Sequence, residues 1–271
     1  MTTIETRVGR SLTGDYDHFG LRVFRDLAGS TSYLGLIAFA VTGRRISRED
    51  EAVLDDLAVA SHVPEPRVWP IKLSRLGSSF GRAMPGFLCG SVALDCDLVG
   101  GRVAQDAAEL LVALRAHLDA TVDDDAAIAA FLESRRRLIG FGVPLREVDE
   151  RVVAFRACLE RRGRSSGAYW RLGERFWRIV KQLRGVEVNI IGATAAISLD
   201  LGFEPRDVVP LAAVLLQPTL LANAVAGAVE SPELLRSLPP ESVRYVGPPP
   251  RESPRALAAR SCPGPGAPPS R

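Results

Sequence analysis

From Ser30 to Glu230 this chain is a succession of apolar stretches with helical spacing, cut by Gly and Pro and almost free of strand-like alternation. No other feature constrains the fold as much, because a helix with one apolar stripe is stable only when other helices cover it. Ala107, Leu110, Leu111 and Leu114 form such a stripe within a predicted helix over 103–118. Leu172, Phe176, Ile179, Val180 and Leu183 form another, over 169–183. Further helices are predicted over 30–42, ending at Gly43, and from the box-like Ser47-Arg-Glu-Asp50 cap to His62. Others are predicted over 71–83, 87–98, from the acidic caps at 123–125 to 137, and over 146–161, 189–201, 205–216 and 219–230. Pro64, Pro66 and Pro70 break the chain, and Gly140, Gly142 and Pro144 mark a loop.

At 271 residues the chain can bury a sizeable core. Its net charge of +2 gives no electrostatic case for nucleic acid or an anionic membrane as partner. All basic residues except Lys72 and Lys181 are Arg, which suits phosphate and carboxylate recognition and equally fits an Ala/Arg/Gly/Pro-biased composition. Cys89, Cys96, Cys158 and Cys262 lack metal-ligand spacing, so free thiols in a reducing compartment are expected. The N-terminus has no signal-peptide layout, and the apolar run from Leu211 to Val229 is interrupted by Gln217, Pro218 and Asn223. No membrane segment and a cytoplasmic location are therefore expected. From Pro239 to Arg271 the chain is rich in Pro, Gly, Ser and Arg, which predicts a mostly disordered tail, with Val243 to Val246 resting on the body.

Five segments carry a family resemblance. They are Phe24-Arg-Asp-Leu-Ala through Val41-Thr-Gly-Arg-Arg-Ile-Ser47, Ala60-Ser-His-Val-Pro64, Asp97-Leu-Val-Gly-Gly101, Gly140-Phe-Gly-Val-Pro144 with its continuation to Arg151, and Asn189-Ile-Ile-Gly-Ala193 continued to Gly202. In order and spacing they resemble the citrate synthase family, and most its short citryl-CoA lyase branch. The third is similar to "GDvHGGA", the fourth to "GfGHp…DpR", and the fifth to "NvDGAiAAilldlG". The resemblance implies an all-α fold: a large helical domain (1–102 and 196–238) with a small inserted helical domain (103–195) and a ligand cleft between them. It also implies a homodimer.

The same alignment removes the family's chemistry. Val99, Val143 and Ile191 stand where the family keeps His, His and Asp, the groups that stabilise the thioester enol, polarise the acceptor ketone and remove the α-proton. One positioned acid–base group contributes about a hundred- to ten-thousandfold in rate, and aliphatic side chains contribute none of it. Leu216 stands at a carboxylate-binding Arg position, and Asn223 at a His position. The resemblance leaves His62, Asp97 and Arg151 as catalytic candidates. It leaves His62, Arg146, Arg151, Asn189 and Asn223, with Val99, Val143 and Ile191, as substrate-binding candidates. Structural readings stand beside these: His62 as a helix cap, Arg151 as an ion-pair partner of Asp149, and Asp97 as a turn carboxylate.

Three functions are open at this point. The first is a divergent enzyme acting on a more apolar, non-citrate small molecule by C–C bond formation, cleavage or cyclisation. The second is a pseudoenzyme that binds, or pairs with an active homologue. The third is an ordinary citrate synthase or citryl-CoA lyase. No cofactor or metal is required by any of them, and a CoA thioester stays open as a ligand.

Overall fold

Short polar caps and glycines set most of the helix boundaries. Ser32 accepts a hydrogen bond from the Gly35 amide and starts α1 (Tyr33–Thr42), which ends at Gly43 in the left-handed region, φ 69°. Ser47 caps the Asp50 amide and starts α2 (Arg48–Ala60). The computed structural model describes residues 3–121, 123–144, 146–230, 239–248, 251 and 253–255. Helices α3 (Trp69–Gly77), α4 (Ala83–Ala93), α5 (Gly101–Ala120), α6 (Asp125–Glu133), α7 (Glu150–Arg161) and α8 (Ala168–Arg184) follow. The described helices end with α9 (Ile190–Asp200), α10 (Val208–Leu215) and α11 (Gln217–Val229). Residues Met1–Leu234 form one compact unit and Leu235–Arg271 a second.

Within the first unit the main core is built by α5, α8 and α9. Ala104, Ala107, Leu111 and Leu114 present the stripe of α5, and Trp170, Phe176 and Trp177 that of α8. Trp170 meets Phe155 of α7 and Trp177 edge-on, with ring centroids 5.8 and 5.3 Å apart. α9 is enclosed on all sides from Gly192 to Leu199, consistent with its small residues and lack of a polar face. A separate apolar group joins α3, α4 and α11 through Ile71, Leu94 and Leu220. The segment Pro205–Val229 is apolar and long enough to cross a membrane by length and composition. It breaks at Leu216, so that α10 packs on α5 while α11 packs on α3 and α4.

Several expectations need correction. The N-terminus forms a three-stranded antiparallel meander, β1 (Gly9–Leu12), β2 (Asp15–His18) and β3 (Leu21–Arg22), which adds a small sheet to the all-α framework. Strands of four, four and two residues are too short for alternation to register. α4 ends at Ala93 instead of 98, where the chain folds into an Asp95–Gly100 bridge. α7 starts at Glu150 instead of 146, because Asp149 takes up the Arg151 amide as its cap. Within the second unit Val243, Tyr245 and Val246 are exposed. Most of the tail expected to be disordered lies outside the described residues.

Candidate functional site

Two glycines shape the walls of a cavity. Gly100 sits at φ 103°, where a side chain would overlap the Leu94 carbonyl, and turns the chain from Val99 into α5. Gly140, at φ 87°, brings the following loop against α9, and a Cβ there would lie 2.9 Å from Gly192 Cα. The loop is then strapped down. Gly142 N donates to Glu187 O (2.8 Å), Asn189 N to Gly140 O (2.9 Å) and Asn189 Nδ2 to Gly142 O (2.9 Å).

These turns bring Val99, Val143 and Ile191 to one cavity of about 420 Å³. Leu98, Phe141, Leu215 and Leu216 extend its apolar lining, and among the described residues Arg151 is the one charged side chain on it. The three positions, from three separate segments, therefore share one wall system.

The remaining candidates divide. Arg151 lines the cavity with its side chain 28% exposed. Its Nε and Nη2 donate to Asp149 at 2.8 and 2.7 Å, and its Nη1 has no partner among the described residues. Asp149 is buried and also accepts from the Ile190 amide (2.8 Å), tying α7 to the start of α9. Burial pushes the Asp149 carboxyl up, yet the Arg151 guanidinium and the two backbone N–H groups outweigh it and hold its pKa below the usual value. Asn189 borders the cavity, but its Oδ1 caps the Ile191 and Gly192 amides and its Nδ2 is spent on Gly142.

His62, Asp97, Arg146 and Asn223 are not among the lining residues. His62 Nδ1 shares a hydrogen bond with Thr219 Oγ1 (2.9 Å), and Asn223 Nδ2 donates to Pro64 O (2.8 Å), so both tether the loop after α2 to α11. Asp97 is exposed, and its carbonyl accepts from Arg137. Arg146 is exposed and ion-paired with Glu150. Sequence reasoning missed Ser61 and Thr194, which line the cavity. Thr194 was findable from spacing, since it lies three residues beyond Ile191 on the same helical face. Among the described residues no group of three or more His, Cys, Asp or Glu side chains is placed to hold a metal ion.

Comparison with solved structures places this architecture. The structure of citryl-CoA lyase from Hydrogenobacter thermophilus superposes with a TM-score of 0.76 at 20% identity, over 95% of this chain and 100% of that one. This chain has the citrate synthase fold. Citrate synthase from the archaeon Thermoplasma acidophilum, solved with carboxymethyl coenzyme A and oxaloacetate, matches at a TM-score of 0.62 and 18% identity, over 83% of this chain and 59% of that one. ATP citrate lyase from Methanothrix soehngenii, solved with citrate and coenzyme A, matches at 0.65 and 15%, over 92% of this chain and 42% of that one. No family model matches the chain, and no curated protein matches it. At these identities the likeness establishes the fold.

Proposed function

We propose that this citrate synthase-fold chain is a divergent member that receives a compact, mostly apolar molecule, in the simplest case a monocarboxylate, with its head group on Arg151. The observation that carries this reading is the open cavity of about 420 Å³, apolar at Val99, Val143 and Ile191 and, among the described residues, charged only at Arg151. That volume lies in the range of small-molecule sites, about 300–1,000 Å³. A tricarboxylate does not suit it. The Arg151–Asp149 pair is neutral overall, and buried charges without partners are costly. Turnover in such a site rests on substrate positioning and on the Arg151 charge. It leaves open a cyclisation or C–C cleavage driven by the substrate's own groups, and excludes the family's acid–base route.

Calorimetric titration tests the reading, with hexanoate and citrate as probes. Hexanoate should bind, Arg151→Met should remove that binding, and citrate should not bind. Binding of citrate with no binding of hexanoate, or turnover of acetyl-CoA with oxaloacetate or of citryl-CoA, would overturn it.

A second reading, a catalytically silent subunit, is favoured by one observation. Trp69, Leu88, Val92, Leu221 and Val225 are exposed on the three mutually packed helices α3, α4 and α11. Such a face suits association with a second copy of this chain or with an active homologue. Light scattering of the purified chain separates a homodimer from a monomer awaiting another partner.

A further inference from the structure

Two hydroxyls on the cavity wall have no partner. Ser61 closes α2 and is 5% exposed; Thr194 lies one turn into α9 and is 6% exposed. Neither side chain makes a hydrogen bond among the described residues, and both border the cavity. They differ from Trp170 Nε1 and Ser198 Oγ, the two unpartnered side-chain polar atoms that are fully enclosed among the described residues. Ser61 and Thr194 keep a sliver of open surface, and the space beside them is the cavity.

Polar groups this deeply buried are nearly always hydrogen-bonded, because a donor stripped of water and left unpaired is unfavourable. The aliphatic part of the wall offers them nothing. Val99, Val143, Ile191 and Leu216 are aliphatic, and the Asn189 amide is already committed to the α9 cap and to Gly142. Leu or Ile at 194 would pack the same wall without an unpaired hydroxyl. Nothing in the local helix requires Thr there either, since its hydroxyl makes no bond to the preceding turn.

We infer that Thr194 and Ser61 are specificity-determining residues, and that the molecule taken up by this cavity carries an uncharged oxygen, a hydroxyl or a ketone, in addition to the head group held by Arg151. The inference rests on the binding reading above and extends it from an apolar acid to an oxygenated apolar acid. A hydroxyl can donate to a ketone or accept from an alcohol, so both oxygen classes pair with it. A fully hydrocarbon acid leaves both hydroxyls unpaired, and a site built to hydrogen-bond discriminates against the analogue that lacks the group.

The test uses the full chain and four probes in calorimetric titration: hexanoate, 3-hydroxyhexanoate, 5-hydroxyhexanoate and 5-oxohexanoate. At least one oxygenated probe should bind about tenfold more tightly than hexanoate. Thr194→Val, which keeps the shape, should remove that advantage and bind hexanoate at least as tightly as the parent, since no hydroxyl is then left unpaired; Thr194→Ser should retain it. Ser61→Ala should reduce it in part. The unliganded Thr194→Val protein should melt no lower than the parent, which separates a recognition role from a structural one. The inference falls if no oxygenated probe outbinds hexanoate, or if Thr194→Val preserves the preference. Its failure is distinct from failure of the binding reading. If Arg151→Met abolishes hexanoate binding while Thr194→Val changes nothing, the inference alone is wrong. If no probe binds, both are wrong.

Discussion

Replacing Asp149 by Asn should cost about 3 kcal/mol of stability at neutral pH. The carboxylate is 1% exposed and accepts four hydrogen bonds, from Arg151 Nε (2.8 Å), Nη2 (2.7 Å) and N (3.1 Å), and from Ile190 N (2.8 Å). A hydrogen bond to a charged group contributes about 1.5–3 kcal/mol, and breaking a fully buried ion pair costs about 3–5 kcal/mol. Arg151 is 28% exposed and can turn toward water in the variant, which recovers part of that and sets the lower figure. For a chain of this size about 3 kcal/mol corresponds to roughly 6–12 °C in Tm. Urea unfolding should show a lower midpoint with an unchanged slope. The sign of the pH dependence is fixed by the depressed pKa of Asp149 in the folded state. Its contribution is complete above the ordinary aspartate pKa of about 3.9 and is lost as pH falls through the lower folded value. The gap between parent and Asp149→Asn should therefore narrow in acid. A loss below about 1 kcal/mol at pH 7, or a gap that widens in acid, would refute the claim that this pair joins α7 to α9.

Other substitutions probe the cavity and its frame. Gly100→Ala forces a side chain onto the Leu94 carbonyl at φ 103° and should cost about 2 kcal/mol or more, read as a drop in Tm; an unshifted Tm would contradict the turn described. His62→Ala should cost about 1 kcal/mol or less, since its hydrogen bond to Thr219 is made by an exposed residue, and should leave hexanoate binding intact. Ile191→Asp sets a carboxyl on an apolar wall, so its pKa should rise by desolvation. Because a raised folded pKa means stability is lost as pH rises, this variant should be weaker by about 2–3 kcal/mol at pH 8 and recover toward pH 4, as followed by urea midpoints across pH.

Much of the helical framework was legible because its signals are local. Ser47 caps the helix that follows it, and Gly43 ends its helix in the left-handed region, both as read from the sequence, whereas Ser32 and Asn189 stand as caps just outside helices expected to include them. The stripe of α5 identified its buried face. The β-meander was not legible, because its register is set by pairing across two tight turns. The roles of His62 and Asn223 were not legible either. Their partners, Thr219 and Pro64, lie far along the chain, and only packing shows that they tether a loop.

Taken alone, the sequence determined that this is a helical chain resembling the citrate synthase family, and that Val99, Val143 and Ile191 are aliphatic. Both conclusions follow from residue type and spacing within single segments. The tertiary structure decided that Val99, Val143 and Ile191 face one cavity, that Asp97 and Arg146 stay outside it, and that Ser61 and Thr194 stand in its wall without partners. Those facts depend on how the loop at Gly140 meets α9 and how Gly100 turns into α5. Contacts between segments so far apart are fixed by packing of the whole core, which no local pattern encodes.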